Sequence, residues 1–169
     1  MTMIGLLRRE FALMRRHVTG IIQGLIKDEL LWVPPRLANS IGTTILHVLT
    51  GEDRLIQSVL QGKPSLWEAD RWYEQIGVIR LPVRGDDWSG VDLSSLQVST
   101  LFAYAEVLEQ ATATYLHMLN DNNLEEQVEV YGQEQTRAEA LFSIIIHNTS
   151  HAGEIAALKG LRGMRGRKT

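Results

Sequence analysis

Apolar residues recur every third or fourth position through four long stretches of the chain, a period that predicts helices rather than strands. The first stretch, roughly 3–26, puts Ile4, Leu7, Phe11, Met14, Val18, Ile22 and Leu25 on one face and ends ahead of Pro34-Pro35. The second, about 40–61, presents Ile41, Ile45, Val48, Leu55, Ile56 and Val59, with Asn39 or Ser40 as its cap and Gly62 and Pro64 beyond its end. A third runs from a Ser94 or Ser95 cap to about 119 and offers Leu96, Leu101, Tyr104, Val107, Leu108, Ala111, Tyr115 and Leu119 to a core. The fourth spans about 136–160. It opens on Thr136-Arg-Ala-Glu139, the spacing of a capping box, and Gly160 is a natural terminator.

Between these stretches the periodicity fails. GKPSLWEADRWYEQIGV can hold a short helix, whereas IRLPVRGDDWSGVDLSS reads as a long loop of Gly, Asp and Ser. A connection of that length inside one domain often contributes to a site. QVEVYGQEQT alternates weakly about Gly132, as a short hairpin would. The pattern predicts an all-α protein: a single domain over 1–169, folded as a four-helix bundle with a long irregular connection between helices 2 and 3. Residues 161–169, with Arg162, Arg165, Arg167 and Lys168, form a basic tail, read as a solvated end with some capacity to attract an anionic substrate.

Composition narrows the function classes. A 169-residue chain that is 44% apolar is long enough to bury a sizeable core. A net charge of −3 and a pI near 5.9 argue against nucleic acid as a partner. No apolar run reaches the length of a membrane span, and MTMIGLLRREF lacks the features of a secretion signal, so a cytoplasmic location is expected. The chain has no cysteine. A disulfide framework, a thiolate nucleophile and a Cys-ligated zinc site are therefore excluded, and any metal must be held by imidazole, carboxylate or water.

The candidate chemistry lies in IIIHNTSHAGEIAALKG, where His147 and His151 stand one helical turn apart. They are either two unrelated polar residues at the margin of a packed helix or two imidazoles able to converge on one ion. Glu154 is spaced to orient His151, or is simply solvated. Position 148 is Asn, so the pair is not H-E-x-x-H, and no histidine has a glutamate three residues before it, as a di-iron bundle site requires. A metal would need a third ligand from another helix. His47 is the candidate, but the helical wheel turns it more than about 90° from the apolar stripe of the second helix, as a surface residue. Glu52, by contrast, falls inside the stripe as a buried acid in want of a partner. Trp67, Trp72, Tyr73 and Trp88 are either a small core under the long loop or, for Trp72 and Trp88, walls of a pocket over the metal. His17 and His117 read as surface residues.

The wider text resembles a known family. NSIG before His47, GED after it, the LWE…W…G continuation and the terminal HxxxHxGEIAALKGLRG occur in an order and spacing similar to the DinB-like family of small bacterial metalloproteins. The likeness is close over 30–77 and 136–166 and extends to the first and third helices by pattern. It implies a four-helix bundle holding one divalent metal, zinc or nickel, on three histidines, carried over here to His47, His147 and His151. The site would then lie in a cleft at the side or end of the bundle, away from the central seam. Some relatives act with low-molecular-weight thiols such as bacillithiol or mycothiol. The resemblance thus implies a metal-dependent hydrolase or transferase taking a small thiol as cosubstrate, or a non-catalytic metal-binding or stress-related protein of the same fold. It also suggests a homodimer. Many members carry Gln where Glu154 stands, which leaves the role of that residue open.

Overall fold

The structure is a computed structural model that describes residues 2–34, 39–82 and 88–164. Pro35, the centre of the long loop, and Arg165, Arg167 and Lys168 of the basic tail lie outside the described residues. The chain is mainly helical. Helix α1 spans Met3–Ile22 and begins where the Thr2 hydroxyl accepts the Gly5 N–H. A short α2 (Lys27–Leu30) follows. Helix α3 (Ile41–Asp53) is capped by Ser40, whose side chain accepts from the Thr43 amide, and passes directly into a π-helical turn, Arg54–Val59. Two short helices, α4 (Leu66–Ala69) and α5 (Trp72–Ile76), precede a 3-10 turn at Trp88–Gly90. Then come α6 (Val98–Met118), the short α7 (Asp121–Leu124), a hairpin of β1 (Gln127–Val130) and β2 (Gln133–Thr136), and α8 (Arg137–Leu161). Val130 pairs with Gln133 across the Tyr131-Gly132 turn.

Element boundaries differ from expectation at three ends. Helix α1 stops at Ile22, before a turn at Gln23-Gly24. Helix α6 is capped by Gln97 and not by Ser94 or Ser95, because Leu93 and Leu96 are buried and hold that segment in a turn, with Leu96 N–H bonded to Leu93 O at 3.0 Å. Helix α8 runs through Gly160, and the residue that ends it is Gly163, at φ +77°. There the Met164 amide reaches Lys159 O at 2.9 Å and the Gly163 amide reaches Gly160 O at 3.0 Å, the two bonds of a Schellman motif. The capping box at Thr136 and Glu139 is present as expected.

All seven apolar residues expected on the inner face of the first helix are buried. Helix α1 packs on α6 and α8, and α3 packs on the same two helices from the other side. Side-chain bonds give the directions. Lys159 Nζ donates to Ile21 O at 2.6 Å, so α1 and α8 end together. Arg8 donates to Leu116 O and Leu119 O, so α1 starts where α6 ends. Arg137, at the start of α8, donates to Leu60 O and to the Tyr115 hydroxyl, which puts the end of the π turn beside the end of α6. Helices α3 and α6 are therefore neighbours running the same way. The chain must travel back about 28 Å, the length of the 19 residues of α3 and its π turn, to begin α6. That return is the physical reason for the long connection, which parallel neighbours in helical folds require.

The connection is pinned along its way. Asp53 accepts the Leu66 and Trp67 amides at 3.0 and 2.8 Å and the Tyr104 hydroxyl at 2.7 Å, which anchors the start of α4 to α3 and α6. Further on, Gly77 (φ +81°) passes Ser95 so closely that a Cβ there would lie 2.4 Å from its carbonyl oxygen, so position 77 admits only glycine.

Candidate metal centre

His47 projects from α3, and His147 and His151 from facing turns of α8. One ring nitrogen from each lies within 4.8 Å of the others. The Nε2 atoms of His47 and His147 are 3.0 Å apart, and the three ring centroids are separated by 4.9, 4.9 and 4.6 Å. The wheel places His47 off the apolar stripe correctly, but its reading as a surface histidine does not hold. The edge of α3 onto which His47 projects meets α8, and the residue is half-buried there against the other two imidazoles and the Trp88 indole, 4.9 Å away.

A second set of contacts fixes how the rings are turned. Glu52 is 1% exposed and sits at the centre of the helices, where its Oε1 is ion-paired with Arg15 of α1 and accepts the Thr112 hydroxyl of α6 at 2.8 Å. Its Oε2 accepts the Asn148 Nδ2 amide of α8 at 2.7 Å. A carboxylate paired to a guanidinium can only accept, so Asn148 must turn its NH2 toward Glu52 and its carbonyl the other way. That carbonyl, Oδ1, lies 3.0 Å from His147 Nδ1 and so requires a proton there. His147 Nε2 is left with a free lone pair directed at His47. His151 is set in the same manner: Nδ1 donates to Glu154 Oε2 at 2.6 Å, which leaves Nε2 free. Such outer contacts select the tautomer that a metal needs and raise the basicity of the ligand nitrogen.

Burial lowers the pKa of two of the rings. Burial, followed by the neighbouring His147 and His151, pushes the His47 pKa down to about 4, against a smaller upward pull from Glu154. Burial also lowers that of His147, which its bond to Asn148 and the charge of Glu52 partly offset. Three imidazoles whose ring nitrogens converge match the donor set of a divalent transition ion. Two nitrogens on a tetrahedral zinc at about 2.05 Å stand roughly 3.3 Å apart, close to the observed His47–His147 separation of 3.0 Å. The residues present fit the ion.

A cleft of about 640 Å3 opens over His47. The face of α3 that lines it reads His47, Thr50, Gly51, Arg54 and Ser58, spaced along one side of the helix. A Cβ at Gly51 would come 3.7 Å from His147 Cε1, so glycine leaves the floor low beside that ring. The opposite wall comes from the long connection (Trp67, Glu68, Arg80, Leu81, Trp88) and from Tyr131 of the hairpin. Each letter of the GED sequence thus has its own task. Gly51 keeps the floor open, Glu52 sets the His147 tautomer through Asn148, and Asp53 ties down the segment that carries Trp67.

Trp88 lies at the cleft and touches His47, whereas Trp72 does not line it. Trp72 is buried beside Tyr104, 5.4 Å between centroids, and Trp67 packs on the same tyrosine at 5.6 Å. Of the two readings of Trp72, its contacts support the small core, since α5 turns that face toward α6; Trp67 stands at the cleft. His17 is half-exposed and His117 exposed, and neither joins the cluster. Arg15, Thr112 and Asn148 were not anticipated as supports of the site. A signal for them exists, because each occupies an apolar position of its helix: Arg15 four residues after Phe11, Thr112 four after Leu108, Asn148 four after Ile144.

The chain is mainly helical, and its three histidines gathered beside a cleft are compatible with metal binding. The sequence matches the DinB superfamily over residues 10–155, and the chain belongs to that superfamily. Solved structures agree in fold. A conserved protein from Enterococcus faecalis superposes with a TM-score of 0.76 at 20% identity, covering 95% of this chain and 97% of that one. A DinB-like protein from Bacillus cereus gives 0.65 at 14% identity, covering 96% and 95%. A DinB-like protein from Bacillus subtilis gives 0.59 at 13% identity, covering 99% and 96%. No curated protein matches the chain. Among the described residues no helix is long and apolar enough to cross a membrane.

Proposed function

We propose that the protein is a four-helix-bundle metalloprotein that holds one divalent ion, zinc or nickel, on His47, His147 and His151. In this reading it serves a hydrolase- or transferase-type reaction that takes a low-molecular-weight thiol as cosubstrate. The observation that carries the reading is the convergence of three imidazoles, two of which, on α8, have their Nδ1 atoms already engaged by Asn148 and Glu154. When bound, such an ion supplies Lewis acidity that favours the deprotonated form of a hydroxyl or thiol. The chain's own residues do the rest. Glu52 and Asn148 hold His147 in its binding tautomer, Glu154 does so for His151, and Trp88 shields the cleft side of His47 from water. Three histidine ligands leave a coordination position for a substrate atom, as in catalytic rather than structural zinc sites. With no cysteine of its own, the protein takes the sulfur from the cosubstrate.

The test is elemental analysis of protein purified without a nickel column, with His151→Ala beside it. About one equivalent of zinc or nickel in the wild type, lost in the variant, supports the site; less than about a tenth of an equivalent, with zinc added back and still not retained, overturns it. Consumption of small thiols in the presence of electrophiles then separates an enzyme from a binder.

A further inference from the structure

The cleft over His47 carries positive charge on its rim. Arg54 stands seven residues after His47 on the same face of α3, two turns or about 10 Å further along, and Arg80 faces the same space from the long connection. Both are exposed, and neither has a carboxylate of the described residues within ion-pairing distance. The Arg54 guanidinium lies over the Tyr131 ring, 5.7 Å from its centroid, a contact that steers it across the mouth of the cleft. Among the described residues Glu68 is the single acid in the lining. Trp67 and Trp88 add aromatic area to the lining. A volume near 640 Å3 accommodates a molecule of a few hundred daltons rather than a bare anion.

We infer that the cleft selects a small thiol bearing an oxyanion, a carboxylate or a phosphate, which Arg54 and Arg80 clasp while its sulfur reaches the histidine site. This rests on the metal-and-thiol reading above for the sulfur end and on the two arginines for the other. Arginine presents a planar fork that matches carboxylate and phosphate oxygens in pairs, which makes it suited to selecting this end of the molecule.

The experiment compares thiols that differ only in charge, titrated into zinc-loaded protein and followed by tryptophan fluorescence. Glutathione is set against its diethyl ester, and 4′-phosphopantetheine against pantetheine. The charged member of at least one pair should bind roughly tenfold tighter or more, with the carboxylate pair or the phosphate pair identifying the source. Arg54→Met and Arg80→Met, both at exposed positions, should each lower the affinity of that charged member by roughly tenfold while leaving its neutral counterpart unchanged. S-Methylglutathione and inorganic phosphate, titrated into metal-free protein, probe the arginines without the ion. If zinc fails to bind, these arms alone decide, so failure of the metal reading is distinguishable from failure of this one. Equal affinity within both thiol pairs, or a double arginine variant within about twofold of wild type for every anion, overturns the inference. So does a metal-free protein that takes up neither anion when zinc does not bind.

Discussion

Glu52→Gln separates the two tasks assigned to the buried acid. The substitution keeps size and shape but replaces an acceptor-only group by an amide, and it removes the charge opposite Arg15. Side-chain exposure at that pair is 8% for Arg15 and 0% for Glu52, so the arginine cannot recover its partner from water. Breaking a buried pair from one side costs about 3–5 kcal/mol; because glutamine still accepts a hydrogen bond, the lower end, about 3 kcal/mol, is expected. For a chain of this size that is a fall of about 6–12 °C in Tm for the metal-free protein. The second effect is on metal. If the new amide NH2 faces Asn148, Asn148 turns over, presents its own NH2 to His147 Nδ1, and moves the ring proton to Nε2, the atom meant for the ion. Zinc affinity, measured by competition with a chromophoric chelator, should drop about 10–100-fold. Thr112→Val is the control: it removes one bond to Glu52, costs about 1 kcal/mol, and leaves Asn148 as it is, so zinc affinity should not move. A Glu52→Gln protein that loses stability but keeps its zinc affinity within about threefold would refute the relay through Asn148.

Three further outcomes follow from the same geometry. Gly51→Ala should raise stability by about 0.8–1 kcal/mol through helix propensity and leave zinc binding intact, since the new methyl meets His147 at 3.7 Å; urea midpoints and chelator competition check both. Asp53→Ala strands two amides and the Tyr104 hydroxyl, and should cost about 3 kcal/mol or more and expose the connection to trypsin, read from the rate of cleavage after Arg71. The metal-free protein should lose stability as pH falls from 6.5 toward 4. His47 has its folded pKa depressed from 6.5 to about 4, so in that window the unfolded chain binds the extra proton and the folded one does not. Above 6.5 the contribution is flat. Urea midpoints at pH 7.5, 6 and 5 should decline in wild type and decline less in His47→Phe.

Much of the helical framework was legible because burial follows a 3.6-residue period that tertiary structure does not override. The inner face of α1 is readable residue by residue, and so is the box at Thr136. The π-helical turn was not, because Leu55, Ile56 and Val59 fit an ordinary α-helical stripe equally well. Chain direction was equally hidden: nothing in the pattern of α3 and α6 says that they run parallel, and only that fact explains the long connection between them. Near the histidines, periodicity gave the right angle for His47 and the wrong inference, since a residue off the core stripe can face a neighbouring helix across a cleft as well as solvent. Glu52 was identified as a buried acid, but its partners are distributed over three other helices, and each had been passed over as one polar residue among apolar ones. Trp67, Arg80, Trp88 and Tyr131 come from separate segments, so no local pattern could gather them into one wall.

The division of the histidines between α3 and α8 also has a consequence in time. During synthesis the chain completes α3 and then about a hundred more residues before His147 and His151 exist to meet His47. The same is true of the parallel contact between α1 and α8, closed at Ile21 by Lys159. No N-terminal fragment that ends before His147 holds more than one of the three rings, and none that ends before Asn148 can satisfy Glu52 through it. If the proposed ion binds, a loaded centre reports that α3 and α8 have packed against each other, which only a chain extended through His151 can do.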